Sequence, residues 1–368
     1  MPGPRIAIAH DYLTQRGGAE RVVVSLMRAF PEATVYTTLY DPDGTYPEFR
    51  DRTIVTSWLN RVPLARREHR LALPLLRSAA ESLQIDADVV IASSSAWAHG
   101  FPTNGRRLVY CHSPARYLYL SEEYLGGSLW ASPRGLALLA LRKGLIAWDQ
   151  AQARRVDKYL ANSTVIAQRI KDCYGIDADV VPAPAGIDAS GTQAEVAALG
   201  DWSSGYYLIV SRLLAYKNVA VAIEAFRGLD ERLVVVGSGP LRDKLVAQAP
   251  SNVRLVQGLT DAELRWTYAH AYALVTPSFE DYGLTPIEAA TFGKPAIALR
   301  AGGYLDTVAD GTSGLFFKAP EAGAIREAVA AASWRQWDAE AIKQHALKFS
   351  EQGFHERIRR EVAGLLPR

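Results

Sequence analysis

Four charged side chains at two strand-to-helix junctions are the residues of this chain best suited to chemistry. The segment Ser211-Arg212-Leu213-Leu214-Ala215-Tyr216-Lys217-Asn218 follows an apolar run and opens a helical pattern. Arg212 and Lys217 can reach one anion from that position. A diphosphate suits them, because arginine offers a planar fork and lysine a point charge. Taken alone, the pair reads equally as two exposed surface cations. Further on stands Phe279-Glu280-Asp281-Tyr282-Gly283-Leu284-Thr285-Pro286-Ile287-Glu288-Ala289. Glu280 is expected in the loop and Glu288 within the first turns of the helix. Carboxylates accept hydrogen bonds from vicinal hydroxyls such as those of ribose or a hexose. A glutamate early in a helix also simply complements the dipole. Gly283 permits close backbone approach, and the helix start at Leu284 and Thr285 offers unpaired N–H groups. The turn Ala301-Gly302-Gly303 after the next apolar run adds a third backbone surface. In the first half, His112 ends an apolar run and reads either as a packed residue or as a reactive one.

These residues need strand ends to hold them. Arg5 to Ala9, Ala33 to Thr37, Ala87 to Ala92, Arg107 to Tyr110 and Asp157 to Ala161 read as buried strands. Helical patterns such as Ala19 to Phe30 lie between them, which is the grammar of a parallel, doubly wound sheet. Val181-Pro182-Ala183-Pro184-Ala185-Gly186 marks a boundary, followed by a loose stretch from Asp188 to Gly205. A second alternating series has strands at Tyr206 to Val210, Arg232 to Val236, Val253 to Val256, Tyr272 to Val275 and Ala296 to Leu299. Its helices are expected at Val219 to Gly228, Leu241 to Gln248, Asp261 to Ala269 and Leu284 to Phe292. The fold class is therefore α/β, with two Rossmann-like doubly wound domains. The division expected is 1–185, 186–345, and a terminal helix, 346–368, returning to the first domain. Ligands of such sheets sit beyond the carboxyl ends of the strands, and two sheets facing each other would enclose one cleft.

Composition narrows the classes. The 368 residues carry 41 Lys and Arg against 39 Asp and Glu, a net charge of +2, which is too balanced for a coat on nucleic acid. The 49% hydrophobic and 22% charged content is that of a packed globular chain. Cys111 and Cys173 cannot form a disulfide framework and read as buried thiols in a reducing compartment. Ile6 to Ala9 is too short for a signal-peptide core, and Gly135 to Trp148 is interrupted by Arg142 and Lys143, so a soluble or peripheral protein is expected. Gly237-Ser238-Gly239 lacks the third glycine of a dinucleotide fingerprint, and Gly293-Lys294 has no P-loop context. No His/Cys set has zinc-ligand spacing, so no metal site is assigned.

Taken in order, these segments resemble the retaining glycosyltransferases of family 4, whose architecture is called GT-B. The resemblance rests on Glu280 and Glu288 within G-L-T-P-I-E-A and on S-R-L-L-A-Y-K-N upstream. It extends to His10-Asp11-Tyr12, Gly17-Gly18-Ala19-Glu20 and Tyr110-Cys111-His112-Ser113-Pro114-Ala115-Arg116-Tyr117. The last is similar to a segment of members acting in mannosyl transfer to polysaccharide and lipid-linked acceptors. The resemblance implies that Arg212 and Lys217 hold the donor diphosphate, Glu288 the ribose and Glu280 the donor sugar. Gly283, Leu284, Thr285, Gly302 and Gly303 would line the donor, with Gly239 in a loop near the base and Gly17 and Gly18 at the phosphate. His112 would sit near the reacting centre, and Arg116 and Tyr117 would meet the acceptor. Two cations can absorb the leaving group's charge, so no metal or other cofactor is expected. Asp306 and His99 depart from residues common in relatives, which bears on donor and acceptor detail.

The implied donor is GDP-mannose, with UDP-linked hexoses open. The implied acceptor is a glycan or a polyprenyl-diphosphate-linked saccharide. Trp58 to Arg70, with Trp58, Arg66, Arg67 and Arg70, is basic and apolar and would suit an anionic membrane surface at the cytoplasmic leaflet, or read as a solvated helix face. A sugar-nucleotide epimerase and a non-catalytic nucleotide-sugar-binding subunit are the rival readings.

Overall fold

The computed structural model describes residues 3–67, 73–122 and 133–366. The chain divides into two compact units, Met1–Pro184 with Glu351–Arg368, and Ala185–Ser350.

The first unit is built on a parallel sheet. Its strands among the described residues are β1 (Ile6–His10), β2 (Thr34–Thr37), β3 (Ile54–Thr56), β4 (Val89–Ser94), β5 (Arg106–Cys111), β6 (Lys158–Ala161) and β7 (Asp179–Val180). The central strands are short runs of valine, isoleucine and alanine, as strands covered on both faces must be; β4 is buried along its whole length. Their order across the sheet is β3-β2-β1-β4-β5-β6-β7. The chain therefore winds outward from β1 to β3, then restarts at β4 on the other side of β1. At that reversal His10 stands opposite Ser93 in the pairing register. Strands β3 and β7 have no counterpart among the strands read from the sequence, because two or three half-exposed or exposed residues leave no readable pattern.

Asp11, directly after β1, holds the loop after β4. Its buried carboxylate accepts the backbone N–H groups of Ser95 at 2.5 Å and of Trp97 and Ala98, both at 2.7 Å. The terminal helix Glu351–Leu365 also packs within this unit. Phe354 lies edge-on to Tyr110 at 5.4 Å, and His355 Nε2 is 2.9 Å from Ser25 Oγ. The return to the first unit thus begins at Glu351 rather than 346, and the first crossing falls after Pro184 rather than 185.

The second unit has strands β8 (Tyr206–Val210), β9 (Arg232–Val236), β10 (Val253–Val256), β11 (Ala271–Thr276), β12 (Ala296–Leu299) and β13 (Gly314–Phe317), all parallel. Their order is β10-β9-β8-β11-β12-β13, so this sheet reverses between β8 and β11. The stretch from Asp188 to Gly205 is not loose. Ile187, Val196, Leu199 and Trp202 are buried in the core of this unit. Arg254 lies 4.2 Å above the Trp202 ring, and its guanidinium pairs with Asp201 at 2.8 Å. Among the described residues no helix is long and apolar enough to cross a membrane.

The Asp11 contacts set a test of the first unit. Replacing Asp11 by Ala leaves three backbone donors without their acceptor, and urea unfolding should show a loss of about 3 kcal/mol, since each stranded buried group costs roughly 1–3. Asp11→Asn, which keeps one oxygen acceptor, should lose less.

Candidate functional site

The six parallel strands of the second unit all end at one edge of its sheet, and the segments that follow them gather there. The loops that flank the reversal, after β8 and after β11, carry the two cations and Glu280, and the helix that follows the second loop carries Glu288. Residues 215–217 form one 3-10 turn, and Asn218 then takes a left-handed conformation (φ 53°), the one positive φ of a non-glycine residue among the described residues. Its side-chain amide donates to the Pro277 carbonyl at 3.1 Å and so ties the first loop to the second. Lys217 Nζ then donates to Glu280 Oε1, and Ser278 Oγ donates to the same oxygen at 2.6 Å. Lys217 keeps 11% of its side chain exposed and Glu280 25%, so the pair stands at the rim of the core with solvent access. Arg212 is exposed, and its guanidinium donates to the Tyr216 hydroxyl at 3.2 Å.

Glycine is required where this second loop turns. Gly283 has φ +94°, and a Cβ there would come within 2.6 Å of the Tyr304 ring. Gly302 has φ +64°, and a Cβ would stand 2.2 Å from the Glu280 carbonyl oxygen. Gly303 donates its N–H to that same carbonyl at 2.9 Å. Gly302 and Gly303 thus fix the backbone of Glu280, and the Gly303 amide is already engaged. Gly239 lies against the Leu213 backbone, where the loop after β9 packs on the loop after β8.

The helix Leu284–Thr291 begins at Gly283, with Leu284, Thr285 and Glu288 in its first turns. Glu288 accepts a hydrogen bond of 2.7 Å from the Tyr268 hydroxyl. Tyr268 is fully buried on the helix Asp261–His270 and stacks on Phe292 at 5.5 Å. Burial, followed by the Glu288 charge, pushes its phenol well above the usual value, which keeps it a donor.

The first unit gathers its polar groups at its own reversal. His10 Nδ1 is 2.9 Å from the Ser93 carbonyl and 3.1 Å from Ser93 Oγ. Ser93 Oγ is 2.8 Å from His112 Nε2. Glu20, buried in the first helix, places Oε1 3.9 Å from His10 Nε2 and accepts from Gln15 at 3.0 Å. Burial pushes His112 down to about 3, with the neighbouring His10 adding to the shift. Burial alone would lower His10 as well, but Glu20, Asp11 and the Ser93 carbonyl outweigh it and raise that ring. Gly17 caps the helix Gly18–Ala29, and a Cβ on it would meet Glu20 Oε2 at 2.4 Å.

One expectation requires correction, and the other residues singled out in the sequence lie as follows. Tyr117 is only 7% exposed and packs against Trp97, with ring centres 6.4 Å apart, so it belongs to the core and not to an acceptor surface. His99 is likewise internal, 3.2 Å from the buried Asp149 carboxylate. Arg116 opens a one-turn helix and is half-buried. Trp58 is 40% exposed and Arg66 half-buried, the Arg67 backbone ends a short helix, and Arg70 lies outside the described residues. Sequence reasoning gave no role to Asn218, Tyr268, Ser278 or Ser93. Asn218 alone left a signal, since asparagine is the side chain that tolerates left-handed turns. Among the described residues no group of three or more His, Cys, Asp or Glu could hold a metal ion.

The family described as Glycosyltransferase Family 4 matches residues 16–190, and the family described as Glycosyl transferases group 1 matches residues 203–349. The D-rhamnosyltransferase WbpZ of Pseudomonas aeruginosa is 31% identical over 170 residues, 42% of each chain. An alpha-1,3/1,6-mannosyltransferase of Dictyostelium discoideum is 29% identical over 137 residues, 30% of this chain and 33% of that protein. The chain therefore matches less than half the length of these relatives. In three dimensions it is similar to Anabaena HepE, crystallised with UDP and glucose, with a TM-score of 0.70 at 16% identity over 99% of this chain and 100% of that one. Sucrose-phosphate synthase from Thermosynechococcus elongatus gives a TM-score of 0.70 at 17% identity over 98% and 99%. These structural likenesses establish the fold.

Asn218 offers the cleanest test of how the site is held. Asn218→Ala loses the clasp to Pro277 and strains the backbone, at about 2 kcal/mol in all; Asn218→Gly loses only the clasp, about 1 kcal/mol. Chemical denaturation of the second unit should rank stability as Asn, then Gly, then Ala.

Proposed function

Because the chain belongs to the family-4-like glycosyltransferases of GT-B fold, one family matching each unit, we propose that it transfers a hexose from a nucleoside-diphosphate sugar to a glycan or lipid-linked saccharide. The observation that carries this reading is the arrangement at the reversal of the second sheet. Lys217 and Glu280 are joined there by an ion pair, Arg212 lies exposed on the same loop as Lys217, and Tyr268 orients Glu288 on the following helix. Open parallel sheets bind ligands at such switch points.

The roles follow from the charges. Glu288 accepts the ribose hydroxyls, and Tyr268 limits its rotation so that less entropy is lost on binding. Arg212 and Lys217 neutralise the diphosphate as it leaves, so the reaction proceeds without a metal ion and EDTA leaves turnover unchanged. The Lys217–Glu280 contact keeps the ammonium placed before substrate arrives, which is the preorganisation that makes a fixed charge effective. Glu280 meets the transferred sugar. The anomeric configuration is retained, by attack on the face from which the diphosphate departs, and a donor phosphate oxygen takes the acceptor proton. The donor in this reading is GDP-mannose, in keeping with relatives named for rhamnosyl and mannosyl transfer. The acceptor is a polyprenyl-diphosphate-linked saccharide met at a membrane surface. The exposed Trp58, Val62 and Leu64, beside Arg61 and Arg66, form the patch that touches it.

Calorimetry with GDP, UDP, ADP and dTDP, without metal, tests the donor. GDP should bind selectively, Glu288→Ala should weaken it at least about tenfold, and Tyr268→Phe by a smaller factor, in line with the loss of one hydrogen bond. Selective UDP binding, as in the HepE complex, would replace the donor and keep the reaction. Binding with no transfer to any acceptor would favour a non-catalytic sugar-nucleotide-binding subunit. Flotation with anionic liposomes should show salt-sensitive binding that the combined Arg66→Ala, Arg67→Ala and Arg70→Ala replacement abolishes.

A further inference from the structure

We propose that His10 and Ser93, backed by Glu20, form a buried relay that fixes His112 in the tautomer with its proton on Nδ1, making His112 a hydrogen-bond donor to a substrate oxygen rather than a base. The inference rests on the transferase reading for its substrate and on the first unit alone for its geometry.

The direction of each hydrogen bond can be worked out. The Ser93 carbonyl, 2.9 Å from His10 Nδ1, can only accept, so His10 Nδ1 carries a proton. That N–H is shared with Ser93 Oγ at 3.1 Å, which is then an acceptor on its His10 side. Oγ could also accept from His112, but its own buried proton would then have no acceptor among the described residues, so the hydroxyl is assigned as donor toward His112 Nε2 at 2.8 Å. A nitrogen that accepts a hydrogen bond carries no proton, so the single proton of neutral His112 lies on Nδ1. Among the described residues that Nδ1–H has no hydrogen-bond partner, and His112 is half-buried, not sealed.

The surrounding charges support the same state. Glu20 Oε1 faces His10 Nε2 at 3.9 Å, and Asp11 adjoins His10 in sequence. Both carboxylates favour a charged His10. A cation there, with burial, disfavours a second proton on His112, which titrates at about 3. The remaining rings near these two are Tyr12 beside His10 and Tyr110 beside His112, and burial pushes the Tyr110 phenol well above its ordinary value. Glu20 itself is 1% exposed, and its Oε2 has no hydrogen-bond partner. The first helix thus spends a buried carboxylate on His10 where an apolar residue would pack more cheaply. The parallel register is what makes the relay possible, because it sets His10 opposite Ser93 at the sheet reversal and Ser93 beside the end of β5. His10, Ser93 and Glu20 are positioning residues in this scheme; His112 alone touches substrate.

The test uses the whole chain labelled with 15N-histidine, with His112→Asn to assign the ring signals. The wild type should show His112 with a pyrrole-type Nδ1 and a pyridine-type Nε2 from pH 5 to 8, a window that lies above its titration point of about 3. Ser93→Ala should lose that pattern and lower kcat about tenfold, the scale of one hydrogen bond, with the nucleotide Kd unchanged. Glu20→Gln, nearly the same shape, should raise the titration point of His112. A merely structural role for Ser93 would move none of these nitrogen signals. A wild-type proton on Nε2, or unchanged turnover in Ser93→Ala, overturns the proposal. If Ser93→Ala does not fold, the wild-type and Glu20→Gln spectra decide. If the wild type turns over no sugar nucleotide, the transferase reading fails, while the spectra still settle the tautomer.

Discussion

A parallel sheet whose strand order reverses leaves a gap at one place on its carboxyl edge, because the loops on either side of the reversal run off in opposite directions. Both units of this protein are organised by that constraint. In the second, the reversal lies between β8 and β11, and the loops that part there carry Lys217 and Glu280. In the first it lies between β1 and β4, and the residues that face each other are His10 and Ser93. The hydrophobic core needs only that the strands be apolar and short. The chemistry arises because topology forbids the chain from closing over these two points.

The two reversals are furnished differently. In the second unit the polar groups keep solvent access and lie on loops tied to each other by the Asn218 amide. A ligand can compete for the Lys217 ammonium without disturbing the strands. In the first unit the polar groups are almost wholly internal. Asp11 gathers three backbone amides, while Glu20, His10 and Ser93 lie in line behind His112. Burying so many polar groups is costly unless each is matched, and the matches here are directional. The first unit therefore holds its polar groups in a closed internal line, and the second holds paired charge at a solvent-accessible rim.

Much of this was legible from residue types. Buried central strands announce themselves as runs of valine, isoleucine and alanine, and Arg232–Val236, Val253–Val256 and Ala296–Leu299 fall where the runs do. Glu280 in a loop and Glu288 within a helix also follow from their neighbours, since Gly283 and Pro286 mark the helix start. What escaped was of two kinds. Short edge strands such as Asp179–Val180 depend on pairing and not on composition. Side-chain partnerships between distant segments, such as Tyr268 with Glu288 or Ser93 with His112, depend on register, which one sequence does not display. The stretch before β8 misled for a third reason. Its serines and glycines read as a linker, while Ile187, Val196, Leu199 and Trp202 are spaced too irregularly to show that they anchor it in the core.

The return of residues 351–365 to the first unit has a consequence for biogenesis. The second unit is continuous in sequence and can collapse as soon as Ser350 has been made. The first is discontinuous: Ser25 must meet His355 across a separation of 330 residues, and Arg28 must meet Glu351. Contacts so far apart in sequence are slow to form, because the closure entropy is paid before they are made. The unit synthesised first is thus the unit completed last. The part of its first helix that carries Ser25 and Arg28 stays uncovered until residues 351–365 have been made, and until then that face is open to a chaperone on the nascent chain.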